Sequence, residues 1–439
     1  MVRHHVSVTG KPLQNVLWLV GERIGRAAVT ATVLGIVARY LLPAGFGRLN
    51  LAITVTGVAA ALANLGLEGV VVSELIRRPD RAGAILGTAL RLRLWSGLAT
   101  AVLVGGLAAA VGFEDARLVA IVAVGLLFQP AEVVDLWFQR HLDSRRTVVA
   151  RFVGIMAGAT VKLWLVVNGA GLAAFAWAQV ADVGLIALAL IWAGRTSPHR
   201  SGRWTWDAGV ARELWRRGAP LAFAALLVAF ALRLDQFLVR TWLGDHASGI
   251  YFAAARLTDM ALFTGAATTL SLFPALAASH AASPAEFQRK LQAAFDALSA
   301  LGWLAALGCT VAGPWIIPFI YGRAYTDASA VLAVQGWACL FALSAGVRWN
   351  YILLAAPPLL NVAAALLHMV TMLALGVWLL PRFDTVGAAL ALLGANFVSG
   401  YLTSFLFPPL RGCAAAQTRG LLILFTPARW GEMLRQFQA

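Results

Sequence analysis

The chain has 439 residues, 60% of them apolar or aromatic and 13% charged, against about 45–50% apolar and about 25% charged in a soluble domain. A mean hydropathy of +0.77 points the same way and excludes an ordinary soluble enzyme. The net charge of +15 would suggest nucleic acid in a soluble protein, but in so apolar a chain basic residues mark membrane topology, and no nucleic-acid partner is expected.

Following a short basic N-terminus, a retained first helix is expected rather than a cleaved leader. Apolar runs of the roughly 20 residues that cross a bilayer are predicted at 15–41, 46–73, 83–112, 117–139, 147–167 and 171–193. After a polar centre they resume at 218–243, 248–278, 291–320, 328–354, 358–380 and 386–408. Irregular backbone cannot be satisfied in lipid, so each run is read as a helix. The fold class expected is an all-α membrane protein of about twelve transmembrane helices.

Arg77, Arg78, Arg81, Arg140, Arg145, Arg146 and the arginines of 195–217 fall on one side of this topology, with Arg289, Lys290 and the tail arginines. The opposite side holds Arg117, Arg323 and Arg382, with Arg39 and Arg48 at helix ends. That asymmetry places both termini in the cytoplasm. The segment RTSPHRSGRWTWDAGVARELWRRG divides the chain into halves. Residues 239–256 echo 38–54, and 376–390 echo 161–175, in the order of a parallel six-helix repeat. Lobes are therefore expected at 1–205 and 206–410, pseudo-symmetric about a central cavity, with an amphipathic interfacial tail at 411–439 carrying Arg429, Trp430 and Arg435.

GxxxxGK[ST], HExxH, CxxC and GxSxG motifs are absent from the sequence, so no catalytic residue and no metal site is nominated and the chain is not expected to be an enzyme. The three cysteines read as packing residues, and His368, deep in a span, as a hydrogen-bonded one. The informative residues are charges inside spans, which must face protein or a wet cavity. These are Arg23 and Arg26 in helix 1, Arg48 opening helix 2, Arg233 and Asp235 in helix 7, Arg256 and Asp259 in helix 8, and Arg348 in helix 10. Arginine's rigid fork suits phosphate, so Arg23, Arg26, Arg48, Arg256 and Arg348 are the candidate substrate-binding residues. Arg256 with Asp259, and Lys162 with Asp182, could equally be structural ion pairs. Glu68, Glu132, Asp135, Arg91 and Arg93 are expected to snorkel or pair near the cytoplasmic ends, and Arg39 and Arg240 to anchor equivalent helix ends.

Four segments carry a family likeness. VARYLLPAGFGRLNLA, RLDQFLVRTWLGDHASGIYFAAARL, FPALA and PWIIPFIYGRAYTDASAVLAV resemble the polysaccharide-export flippases (Wzx-type) of the multidrug/oligosaccharidyl-lipid/polysaccharide exporter (MOP) superfamily. The resemblance implies a transporter of undecaprenyl-diphosphate-linked oligosaccharide in the bacterial inner membrane, with two six-helix lobes forming a V that alternates access. It implies cavity roles for Arg23, Arg26, Arg48 and Arg256 and a coupling role for Asp235, with H+ or Na+ as the coupling ion and no bound cofactor. Membrane lipid, the lipid-linked substrate and polysaccharide assembly enzymes are the partners it suggests, for a monomeric chain. The competing readings are a drug or metabolite exporter of the same superfamily, whose substrates are often cationic, and a glycan polymerase or ligase, which would carry an extended extracytoplasmic loop.

Overall fold

The computed structural model describes residues 11–112, 114–141, 144–197 and 203–426, with side chains from residue 29 onward. Among them, ten stretches are long and apolar enough to cross a bilayer. The helices run α1 (Lys11–Ala63), α2 (Leu67–Arg77), α3 (Ala82–Ala110), α4 (Ala116–Ala123), α5 (Val133–Arg140), α6 (Ser144–Val167) and α7 (Leu172–Arg195) in the first half. The second half holds α8 (Ala208–Ala231), α9 (Leu234–Ala282), α10 (Pro284–Tyr321), α11 (Ala328–Ala355), α12 (Leu359–Phe397), α13 (Thr403–Leu406) and α14 (Arg411–Leu421). Three of the longest are folded back on themselves, at Leu42 in α1, Gly244 in α9 and Asp384 in α12. Divided there, with α8 continuing into the start of α9, the chain makes the twelve expected spans.

One backbone feature repeats at every second connection. Leu42, Gly112, Gly169, Gly244, Gly322 and Asp384 have φ of 57°, 67°, 65°, 83°, 88° and 49°. Each left-handed residue reverses the chain between an odd-numbered span and the next even one, so all six tight corners lie on one face. Glycine adopts this conformation without strain; Leu42 does so just before Pro43, which cannot donate the next helical bond anyway. The corners also verify the internal repeat, because Leu42 and Gly244 occupy matching places in one echo and Gly169 and Asp384 in the other. The remaining described connections lie on the opposite face, with Arg77, Arg78, Arg81, Arg140, Arg145, Arg146, Arg195, Arg203, Arg212, Arg216 and Arg217. We refer to the corner face and the basic face.

Span 2 is broken at Asn64–Gly66, where Leu65 and Gly66 have φ of 52° and 59°. The break sets α2 against α8 across the lobe boundary, as a Cβ on Gly218 would meet Leu65 O. At the basic face this contact is tied by charge. Buried Glu74 meets Arg217 at 2.8 Å and Arg77 at 3.2 Å, while Arg78 reaches Glu213 at 2.9 Å. Asp207 caps α8 by accepting from Val210 N–H at 3.0 Å; that bond and nearby Arg81 hold its carboxyl below the usual range. The expected Lys162–Asp182 pair forms between α6 and α7.

Two sequence expectations change. Arg93 does not snorkel: it is 1% exposed, and its three guanidinium nitrogens have no hydrogen-bond partner among the described residues, so Glu68 and Glu132 act on it through their charge alone. The tail does not begin as a surface helix, because Cys413 and Gln417 of α14 are fully buried against the second lobe. Burial follows from the small faces of Gly412, Ala414, Ala416 and Gly420, which let α14 approach α10 closely; Arg429, Trp430 and Arg435 lie outside the described residues.

At the corner face the two lobes cross on glycine. A Cβ on Gly47 would meet Asp245 O, and one on Gly249 would meet Pro43 O. Neither neighbour is a side chain that can swing away. Gly249→Val is therefore expected to cost at least the roughly 1–3 kcal/mol typical of overpacking, read as a lower unfolding midpoint in detergent, whereas Gly308→Val, which meets nothing within 4 Å, should leave it unchanged.

Candidate functional site

A cavity of about 940 Å³ lies between the lobes, lined by span 2 of the first half and by spans 7, 8, 10, 11 and 12 of the second. It is asymmetric: Ile53, Thr54, Gly57 and Val58 are its first-lobe wall. On span 8 the lining runs from Ala255 to Phe273 and on span 10 from Gln335 to Leu353, about 27 Å at 1.5 Å per residue. Both tracts begin well below the corners; the one on span 10 ends two residues before the helix does at the basic face, and the one on span 8 stops nine residues short of it.

Its charged groups are Arg233, Asp235, Arg256, Asp259 and Arg348. Arg233 Nη1 donates to both oxygens of Asp259, at 3.1 and 3.2 Å. Arg256 stands 4.0 Å from the same carboxylate, so one aspartate serves two arginines. Arg256 spends its stronger bonds across the lobe boundary, donating from Nη2 and Nε to Asn50 Oδ1 at 2.7 and 3.1 Å. Thr54 joins the lobes one turn along by donating to Gln236 Oε1 at 2.8 Å. Arg348 has no carboxylate partner in these contacts; its Nη1 donates to Gly400 O at 3.0 Å and to Thr403 Oγ1. Asp235, 4% exposed, accepts from Tyr251 Oη at 2.7 Å, and its other oxygen has no partner among the described residues. His368 bonds Ser399 Oγ at 3.2 Å and belongs to the wall.

The structure thus brings Arg256, Arg348 and Asp235 together and separates Arg48 from them. Arg48 is not a cavity residue. It sits at the corner face with Nε 2.5 Å from Asp115 Oδ1. Arg23 and Arg26 have side chains outside the described residues. Arg233 and Asp259, not among the candidate ligands, also line the cavity, and their spacing of two and three residues from Asp235 and Arg256 is the sequence signal for it.

Arg48 instead belongs to a seal. Asp115, 1% exposed, also receives Arg240 Nη2 from the other lobe at 3.4 Å, and Arg240 reaches Glu114 at 3.3 Å and Asp245 at 2.7 Å. Beside this network Arg39 donates to the carbonyls of Phe319 and Ile320, ending α10, as expected of an anchor. Tyr325 Oη donates to Ala38 O at 2.8 Å, and Phe46 packs on the rings of Tyr321 and Tyr325. Every one of these contacts except Arg48–Asp115 and Arg240–Asp245 joins one lobe to the other. Access from the corner face is closed.

A two-lobed bundle of apolar helices with a charged cavity between the lobes and a sealed corner face defines a multi-pass membrane protein. The chain belongs to the polysaccharide biosynthesis protein family, whose model matches residues 36–330. Among solved structures it is similar to the lipid II flippase MurJ in an inward closed conformation, with a TM-score of 0.70 at 12% identity over 93% of this chain and 92% of that one. It is also similar to a multidrug resistance MATE transporter in its inward-facing conformation, with a TM-score of 0.67 at 14% identity over 90% and 96% of the two chains. Against an outward-facing MATE transporter the TM-score is 0.58, at 11% identity over 91% and 97%. No curated protein matches the sequence.

Removing the shared carboxylate should unfasten the seal. With the native cysteines replaced and a reporter at Thr258→Cys, a membrane-impermeant thiol reagent supplied from the corner side should label Asp115→Ala several-fold faster than its parent. Equal rates would show that the charges do not hold the face shut.

Proposed function

We propose that this protein flips an undecaprenyl-diphosphate-linked oligosaccharide across the bacterial inner membrane by alternating access. The observation that carries the reading is the charge of the cavity: three arginines, Arg233, Arg256 and Arg348, against two aspartates, at membrane depth where each charge must be offset. The arginine clusters favour a cytoplasmic basic face, and with the corner face sealed that supports reading this state as one that takes substrate from inside. A volume of about 940 Å³ takes a polar headgroup while the polyprenyl tail stays in lipid. The guanidinium groups replace the water that the diphosphate loses. Two negative charges leaving an inside-negative cytoplasm gain about 2.3 kcal/mol each per 100 mV.

Asp259 is a stand-in for phosphate in this scheme. It holds Arg233 and lies against Arg256 until a diphosphate displaces it, and losing the Arg256–Asn50 bond removes one of the ties between the lobes. The reset is assigned to Asp235, which takes up H+ or Na+ at its unpartnered oxygen. A drug exporter is disfavoured because an excess of guanidinium repels the cations such proteins often carry. The chain acts as a monomer, and assembly enzymes of the polysaccharide would dock on the cytoplasmic face.

Two outcomes test this in proteoliposomes that contain a fluorescent polyprenyl-diphosphate oligosaccharide. Arg256→Ala should slow flipping at least tenfold while Asp259→Asn tightens binding of the lipid severalfold; flipping of a lipophilic cation instead, unaffected by Arg256→Ala, would overturn the assignment. Separately, Asp235→Asn should flip lipid at a rate indifferent to imposed H+ and Na+ gradients, and a retained gradient response would remove Asp235 from the coupling step.

A further inference from the structure

Helix α14 lies beyond the twelve-span repeat, yet it enters the second lobe from the basic face alongside α10. Gln292 Nε2 donates to Ala416 O at 3.0 Å, Gly420 lies against the backbone of Phe295, and Trp303 Nε1 donates to Leu421 O at 2.9 Å. These contacts climb α10 toward mid-bilayer, and the 11 residues of α14 span about 16 Å. A re-entrant helix is tolerated at that depth only when protein buries its polar groups.

At its inner end Gln417 is fully buried and uses its whole amide. Nε2 donates to Gly400 O at 2.8 Å and to Ser344 Oγ at 3.0 Å, while Oε1 accepts from Ser404 Oγ at 2.5 Å. Gly400 sits in a single π-turn, Val398–Leu402, a local widening that often marks a functional position. Its carbonyl is the same one that takes Arg348 Nη1, and Ser399 and Gly400 line the cavity. A carbonyl oxygen has two lone pairs; Gln417 and Arg348 occupy both. Arg348 Nε remains unpartnered among the described residues.

We propose that α14 is part of the substrate site and that Gln417 is a positioning residue, which fixes the Gly400 carbonyl so that Arg348 is held in the cavity wall for a phosphate of the headgroup. The proposal rests on the anionic-substrate reading given above. A guanidinium held in advance loses less conformational freedom on binding, so the benefit of Gln417 is felt only through Arg348. A merely structural glutamine would act regardless of which residue stands at 348.

The test is a double-mutant cycle on the full-length protein in detergent, with a short-chain polyprenyl diphosphate as probe and inorganic pyrophosphate as a second arm. Gln417→Met keeps the volume and loses the donor. It should weaken binding of the lipid probe about tenfold, the scale of a hydrogen bond involving a charged group, yet cost nothing further in an Arg348→Ala background. Ser344→Ala, which removes the other partner of the same amide, should change affinity less than twofold. If Gln417→Met does not fold, Gln417→Asn, shorter by one methylene, must show the same dependence on Arg348. An undiminished loss in the Arg348→Ala background, or no loss in the wild-type background, overturns the role of Gln417 and leaves the anionic reading standing. Arg348→Ala that binds the lipid probe normally overturns the Arg348 assignment itself. A parallel loss of pyrophosphate binding identifies the headgroup as the recognised part; a loss confined to the lipid arm contradicts phosphate recognition by Arg348.

Discussion

A guanidinium inside a membrane cannot shed its proton and must find oxygen. In this protein that requirement organises both ends of the interlobe path. On the corner face Arg39 takes carbonyl oxygens and Arg240 carboxylate oxygens from the opposite lobe, and the satisfaction is the seal. In the cavity the supply runs short: Asp259 is divided between two arginines, and Arg348 makes do with a carbonyl and a hydroxyl. The deficit is what an anionic headgroup would fill. Closure and hunger for anion thus come from the same chemistry in different stoichiometry.

The two lobes contribute unequally. The second supplies most of the cavity wall and all five of its charged side chains, whereas the first offers Asn50 to Arg256 and Thr54 to Gln236. The first-lobe partners in these bonds are neutral, so a ligand can take their place without stranding a buried charge on that lobe. At the basic face the Glu74–Arg217 and Glu213–Arg78 contacts keep spans 2 and 7 together, so opening at the corner face would pivot about this point.

Much of the architecture could be read from the sequence because its determinants are local. Span length, the arginine asymmetry and the two echoes each live within a few dozen residues, and the left-handed corners fall where the echoes align. Lys162 and Asp182 were legible as a pair because neighbouring spans must pack. Arg48 was placed in the cavity because its depth was read from its own helix, while its partner Asp115 comes from a different hairpin 67 residues away. The burial of α14 was hidden for a related reason: a stretch too short to span looks interfacial, and the partners that accept Gln417 stand up to 73 residues off. Arg93 is buried without a hydrogen bond, and its charge is offset at longer range by Glu68 and Glu132, which lie 25 and 39 residues away in sequence on other helices.

The proposed function turns on where a diphosphate binds. A structure of the protein with an added polyprenyl-diphosphate oligosaccharide should place a phosphate within hydrogen-bonding distance of Arg256 and Arg348, with Asp259 drawn away from Arg233. Phosphates bound outside the cavity, with the Arg233–Asp259 and Arg256–Asn50 contacts intact, would contradict it.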